Sequence, residues 1–329
     1  LYDILKHRLI NKGYIRSDKQ KEDLNDLVLS ELHLIANNSY QGFEAQKLHL
    51  LFQATYYLNS GNYKSAIRYY QELINLFNDN QHLILNPPIY YLSAIQGILD
   101  SLCIAGLYHE TPFFLSKLEE LTQNEYSTEF ILHLKTLIYI YKSNSLLQAG
   151  NFEQALELRD KQENELLKKV TSLGLESQLR LYLSFAVLGM YTKDYVQARK
   201  YMKKIFSLGK LFCAFPSYKI ARLVNLLLQA ELGNYDFFEN EIMSIKRNIR
   251  FEKKTYITEK LIFKFIQGYP LPSYEKARNK RWLQYQKDIQ KIEQDKYERQ
   301  LLKTFDVLAW IESKLTQRSL ADILAEKAH

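Results

Sequence analysis

Apolar residues recur along most of the chain at the three- and four-residue spacing of an amphipathic helix. The pattern is clearest on the two sides of Gly61, where the apolar positions are Leu48, Leu51, Ala54, Tyr57 and Leu58, then Ala66, Ile67, Tyr70, Leu73, Ile74 and Phe77. Two stripes of helical period that flank one glycine predict a helix, a tight turn and a second helix.

The short sequence that begins at this glycine occurs in five copies, four of which begin with glycine. Its copies begin at Gly61, Gly106, Gly150, Lys193 and Gly233, which lie 45, 44, 43 and 40 residues apart. Glycine accepts the left-handed conformation that ends a helix, and a following Asn or Asp can cap the next helix. An aromatic residue then packs on the first helix, and a small residue marks a close crossing. The repeat therefore predicts five helix pairs over residues 41 to 250.

Proline placement and composition favour the same all-α fold. Pro87, Pro112 and Pro216 fall where helices should start, because proline suits the first helical turn. Glycine and proline number 11 and 6 of 329 residues, which is below their usual share of about 7% and 5%. Two helices are expected over 2–37, separated by a polar stretch, and a further helix over 254–267 ends at Gly268.

The residues around the first turn resemble the tetratricopeptide-repeat family. Its small, aromatic and turn positions are filled by Ala54, Tyr57, Gly61, Tyr63, Ala66 and Tyr70. The resemblance covers residues 44–268 and implies a right-handed α-α superhelix, a solenoid with a C-terminal helical cap. The chain departs from the family pattern in its repeat period, which exceeds 34 residues. It also departs at Thr111 and Phe238, which replace the small alanine, and at Lys193, which replaces the turn glycine. Long degenerate repeats of this kind are similar to those of bacterial regulators.

The resemblance also implies a domain division and a binding surface. The expected domains are lead-in helices over 1–40, a repeat solenoid over 41–268 and a basic amphipathic helical cap over 269–329. In the family the first helix of each pair lines a concave groove, and the matching positions here are Thr55, Asn59, Gln96, Asp100, Asn144, Gln148, Arg180, Tyr191 and Glu231. Asn144 falls where the family grips a peptide backbone, since Asn both donates and accepts hydrogen bonds. The alternative is that these are ordinary solvated helix residues.

The C-terminal region carries the excess positive charge. The chain has a net charge of +7, and residues 246–303 alone contain 16 Lys or Arg against 7 Asp or Glu. At helical spacing one side of the segment 274–292 carries four lysines, Lys276, Lys280, Lys287 and Lys291, and the opposite side carries Trp282, Tyr285, Ile289 and Ile292. The apolar stripe breaks at 295–300 and resumes in a new phase, which predicts two helices or one kinked helix.

Three roles remain open for this tail. A solenoid needs a terminal element with a polar outer face, which favours a cap. A basic arm for nucleic acid or an acidic partner is the second, and a helix lying on a membrane surface is the third. The apolar content of the tail is also compatible with a homodimer.

The sequence contains no catalytic, phosphate-binding or metal-binding motif. We therefore expect no enzyme activity, no metal and no cofactor. Cys103 and Cys213 are expected to be buried reduced thiols of a cytoplasmic protein. No apolar run is long enough to span a membrane.

The expected function is that of a non-catalytic scaffold that binds a protein or peptide in a helical-repeat groove. Nucleic acid is less favoured as a partner, because the excess basic charge is confined to the tail. The alternative is a peptide-sensing regulator of transcription or signalling whose effector domain lies outside this sequence. The start of the sequence at Leu1, in place of a methionine, motivates that alternative.

Overall fold

A computed structural model of the protein describes residues 1–13, 15–37, 41–84, 86–209, 215–251 and 256–328. Helices make up 79% of the structure, and no strand occurs among the described residues. The predicted all-α class is therefore confirmed. The chain forms two compact units, Leu1–Ile138 and Tyr139–His329. This division falls inside the predicted repeat region of 41–268.

The described part of the N-terminal unit contains seven complete helices. They are α1 (Tyr2–Lys12), α2 (Asp18–Glu22), α3 (Asn25–Ala36), α4 (Phe43–Asn59), α5 (Tyr63–Asp79), α6 (Ile89–Ala105) and α7 (Thr111–Leu121). Helices α4, α5, α6 and α7 pack in sequence, and α1 packs on α4. The segment 2–37 holds three helices where two were expected. The extra helix α2 starts because the Ser17 hydroxyl accepts the Gln20 amide.

The boundary between the units falls within α8 (Thr128–Gln148). The C-terminal unit continues with α9 (Phe152–Lys168), α10 (Leu175–Tyr191), α11 (Tyr195–Ser207), α12 (Pro216–Glu231), α13 (Phe237–Phe251), α14 (Ile257–Ile266), α15 (Glu275–Gln294), α16 (Arg299–Leu302), α17 (Val307–Thr316) and α18 (Leu320–Ala328). Helix α10 contacts α9, α11 and α12, and α12 contacts α13 and α14. Helix α15 contacts α14 and α17, and α17 contacts α18.

The five predicted turns share one backbone conformation. Their first residues have positive φ angles, which are 79° at Gly61, 77° at Gly106, 76° at Gly150, 61° at Lys193 and 73° at Gly233. In four copies the next amide donates to the carbonyl five residues earlier, in the pairs Asn62 to Tyr57, Leu107 to Leu102, Asn151 to Leu146 and Asn234 to Gln229. This bond closes the end of the preceding helix. The repeat in the sequence is therefore a repeat of one helix-ending turn.

In two of the five copies the residue after the turn caps the second helix, as predicted, whereas Asn151 forms no side-chain cap at the start of α9. The side chain of Asn62 accepts the Ser65 amide at 3.2 Å, and that of Asp194 accepts the Gln197 amide at 3.1 Å. The small residues that follow are fully buried, at positions Ala66, Ala155 and Ala198. Thr111 and Phe238, which replace this alanine in two copies, are buried as well.

The tail beyond Gly268 contains four helices, where two helices or one kinked helix were predicted. Helix α17 begins at Val307 because the Asp306 carboxylate accepts the Ala309 amide at 2.8 Å. Helix α15 has the predicted apolar side. On it, Tyr285, Ile289 and Ile292 are buried and Trp282 is half-buried. The other tryptophan, Trp310 of α17, is the largest fully buried side chain.

Two further expectations concern cysteines and membranes. Cys103 is a buried thiol of α6, as predicted, whereas Cys213 lies outside the described residues. Within the part of the chain that the structure describes, no helix is both long and apolar enough to cross a membrane.

Candidate functional site

The candidate binding positions lie on the first helix of each helix pair. We call these helices, α4, α6, α8, α10 and α12, the first helices. Each position was predicted from its offset to a turn. Seven of the nine residues share one of two offsets from their turns, and the exceptions are Gln96 and Arg180. The surroundings of the candidates differ between the two units, so each unit is described separately.

In the N-terminal unit, Thr55 of α4 lies beside two tyrosine hydroxyls. Burial raises the pKa of Tyr2 to about 12, and a side-chain hydrogen bond with Thr55 opposes this shift. Burial also raises the pKa of Tyr70, again opposed by a hydrogen bond with Thr55, and the charge of Asp100 adds to the rise. Tyr2 belongs to α1 and Tyr70 to α5. The structure therefore brings Thr55 and Asp100 together around Tyr70 and covers Thr55 with the first helix of the chain.

The other two candidates of this unit are Asn59 and Gln96. The Asn59 amide donates to the Thr55 carbonyl oxygen at 2.9 Å, one helical turn earlier. Gln96 of α6 is half-buried. Next to it, Gly97 allows α6 to approach α5 closely, because a Cβ at this glycine would lie 2.2 Å from the Tyr70 ring.

In the C-terminal unit, Tyr191 at the end of α10 is buried by the tail. Its ring centroid lies 5.0 Å from that of Phe305, and its hydroxyl accepts the Asp306 amide at 2.8 Å. Burial raises the pKa of Tyr191, and the charge of Asp306 adds to the rise. The structure thus places Tyr191 beneath the start of α17, and Gln148 of α8 is buried as well.

Glu231, at the end of α12, binds α17 through charge. The Lys314 ammonium lies 2.7 Å from one Glu231 oxygen and 2.8 Å from the other. The Tyr195 hydroxyl donates to the same carboxylate at 2.7 Å. Burial is the main cause that raises the pKa of Tyr195, and the bond it donates to Glu231 adds to the rise. Charge-assisted bonds of this kind are about twice as strong as neutral ones.

Arg180 and Asn144 are the two remaining candidates of this unit. The Arg180 guanidinium donates to the Tyr141 hydroxyl at 3.1 Å and lies 5.5 Å from the centre of that ring. Both Arg180 and Asn144 are half-buried. They present a cation and an amide on two first helices, and both groups can bind backbone or side-chain acceptors.

The four tail lysines lie on the exposed side of α15, as predicted. Lys276, Lys280, Lys287 and Lys291 are all exposed. None of them forms an ion pair with another described residue. The opposite side of α15 packs into the unit through Tyr285, Ile289 and Ile292. The structure thus separates a packed side of the helix from a charged side.

A cleft of about 760 Å³ opens beside the tail contacts, within the C-terminal unit. The start of α9, the turn between α10 and α11, and helices α17 and α18 line it. Its charged lining residues are Glu153, Lys193, Lys314 and Arg318. The described residues contain no group of three or more His, Cys, Asp or Glu that could hold a metal ion.

Sequence reasoning missed the tail residues that meet the first helices, namely Phe305, Asp306 and Lys314. Phe305 belongs to the apolar stripe that resumes after 295–300, but the stripe does not predict its contact with Tyr191. Lys314 is one basic residue among many, and nothing near it in the sequence marks its pairing with Glu231.

No known family model, curated protein or solved structure matches this chain.

Proposed function

We propose that this chain is a non-catalytic helical-repeat scaffold that binds a segment of another protein on its first helices. In this proposal the helix pairs follow one another as a right-handed superhelix of tetratricopeptide type, and the protein acts in the cytoplasm. One observation carries the proposal: each unit holds a helix of the chain itself at predicted binding positions. Helix α1 meets Thr55, and α17 meets Tyr191 and Glu231.

These internal contacts support binding because they use interactions that a partner segment can also supply. Glu231 binds an ammonium group, and the Tyr191 hydroxyl binds a backbone amide at the start of a helix. Polar groups on the first helices therefore recognise helical segments through both side-chain charge and backbone. A repeat surface of this kind is extended and can accept a long partner.

Asn144 and Arg180 are the residues we assign to the partner. Both are half-buried and lie on first helices of the C-terminal unit. Arg180 supplies donors for a carboxylate or a carbonyl, and Asn144 supplies one donor group and one acceptor. The sequence contains no catalytic motif, which favours binding over catalysis.

Affinity capture from lysate of the source cells, followed by mass spectrometry, tests this proposal. The bait is the full chain, compared with an Asn144→Ala/Arg180→Ala variant and with a Gln154→Ala/Lys161→Ala control on the exposed side of α9. We expect a protein that wild type and control recover equally, with or without nuclease, and that the first-helix variant recovers about tenfold less. Equal recovery by all three baits, or loss of the catch with nuclease, would contradict the proposal.

A further inference from the structure

The cleft of the C-terminal unit has the size of a ligand site. Its volume is about 760 Å³, and small-molecule sites commonly enclose about 300–1,000 Å³. Its lining combines apolar side chains, among them Phe152, Leu156 and Met190, with a small number of charged groups. Such a mixture is typical of sites that bury an apolar body and orient its polar ends.

The backbone around the cleft is held in a costly conformation at two points. Lys193 has a φ angle of 61° and Gln317 one of 60°, and among the described residues these are the two non-glycine residues with positive φ. Both side chains line the cleft. The other four copies of the Lys193 turn use glycine, which adopts this conformation without steric cost. Two of the five copies border the cleft, the Gly150 copy through Phe152 and Glu153 and the Lys193 copy through Lys193 itself, and the Lys193 copy is the one of the two without glycine. Backbone strain of this kind concentrates at functional sites.

The charged groups of the cleft divide into engaged and unengaged ones. Lys314 is bound by Glu231, and Arg318 by Glu312 and Glu326. Lys193 and Glu153 are exposed, and within the described part of the chain neither forms an ion pair. Glu153 lies in the first turn of α9, and Lys193 lies in the turn between α10 and α11. The cleft thus offers one carboxylate and one ammonium group on different walls.

We propose that this cleft binds a short peptide whose two ends are both unblocked. The terminal carboxylate of the peptide pairs with Lys193, its terminal ammonium pairs with Glu153, and its apolar body contacts Phe152 and Leu156. Opposite charges at the two ends of an apolar body match the unengaged groups and the lining of the cleft. The cleft shares Tyr191 of α10 with the first-helix positions, whereas Asn144 and Arg180, which we assign to the protein partner, are not among its lining residues.

A library of tripeptides with free ends, incubated with the full chain and recovered by ultrafiltration, tests the proposal. The best-retained tripeptide is then measured by calorimetry in its free, N-acetylated and C-amidated forms. We expect each blocked form to bind about threefold more weakly, because water weakens charge pairs with the exposed Lys193 and Glu153. Lys193→Gln should abolish the effect of amidation alone, and Glu153→Gln that of acetylation alone. The exposed controls Lys203→Gln and Glu157→Gln should bind as wild type does.

A Lys193→Gly variant separates binding from folding. It restores the residue of the other four turns, so we expect a higher Tm together with weaker peptide binding. A purely structural role of Lys193 would raise the Tm and leave binding unchanged, which would overturn the proposal. Failure to retain any free-ended tripeptide, or equal binding of free and blocked forms, would overturn it as well.

Discussion

At the scale of single residues, the close approach of paired helices depends on the absence of side-chain atoms. Gly189 of α10 faces Ala198 of α11, and a Cβ at Gly189 would lie 3.1 Å from the Ala198 Cβ. The same Cβ would lie 2.8 Å from the Asp194 carbonyl oxygen and 2.9 Å from the Ala198 amide nitrogen. These two atoms belong to the backbone and cannot rotate away, so this crossing has no room for a methyl group.

We therefore predict that Gly189→Ala lowers the free energy of unfolding by about 2 kcal/mol, because overfilling a packed contact forces the backbone to shift. The gain in helix propensity from alanine is smaller, about 1 kcal/mol. Urea unfolding followed by circular dichroism measures the change. The exposed control Gln154→Ala should stay within about 0.5 kcal/mol of wild type. A Gly189→Ala protein as stable as wild type would show that α10 and α11 do not cross closely here.

The sequence predicts one side of this crossing and misses the other. Ala198 stands at a fixed offset from the Lys193 turn, so the repeat identifies it as a small position. Gly189 lies at no position that the repeat marks, and its role depends on which atoms of α11 face it. Local spacing carries the first kind of information, whereas the second follows only from packing.

At the scale of helices, the start of α14 is capped by its own Glu259, which accepts the Tyr256 amide at 3.0 Å, and also from a distance. The Glu298 carboxylate accepts the amides of Ile257 at 2.6 Å and Thr258 at 3.0 Å, across 41 and 40 residues of sequence. The first amides of a helix have no partner within it and need such an acceptor. Burial raises the pKa of Glu298, and the two backbone bonds oppose that rise. The helix predicted over 254–267 is observed over Ile257–Ile266, and residues 254 and 255 lie outside the described part.

We predict that Glu298→Ala lowers the free energy of unfolding by about 2 kcal/mol, because it leaves two buried helix amides without an acceptor. Glu298→Gln keeps one acceptor oxygen and should lose less. Chemical unfolding of both variants gives the two values. Glu293→Ala serves as the control, since Glu293 is half-exposed and its 3.9 Å contact with Lys327 is a weak surface pair. Equal effects of Glu298→Ala and Glu293→Ala would rule out the capping role.

At the scale of the whole molecule, the sequence predicts the order of helices better than their long-range contacts. The turns at Gly61 and Gly150 were predicted because each depends on a few adjacent residues. The contact of Tyr191 with Asp306 spans 115 residues, and that of Glu231 with Lys314 spans 83. No periodic pattern encodes such pairs. The candidate positions on the first helices could therefore be predicted, but not the helices that cover them.

A double-mutant cycle on Glu231 and Lys314 measures most directly whether the first helices hold a helical segment through specific contacts. The four proteins are wild type, Glu231→Gln, Lys314→Met and the double variant, each unfolded in urea. We predict a coupling energy of about 1–2 kcal/mol, because the pair is largely buried and shares its carboxylate with Tyr195. The exposed pair Glu157 and Lys161, treated in the same way, should couple by less than about 0.5 kcal/mol. Additive effects at Glu231 and Lys314, within about 0.3 kcal/mol, would contradict the binding of α17 on the first helices.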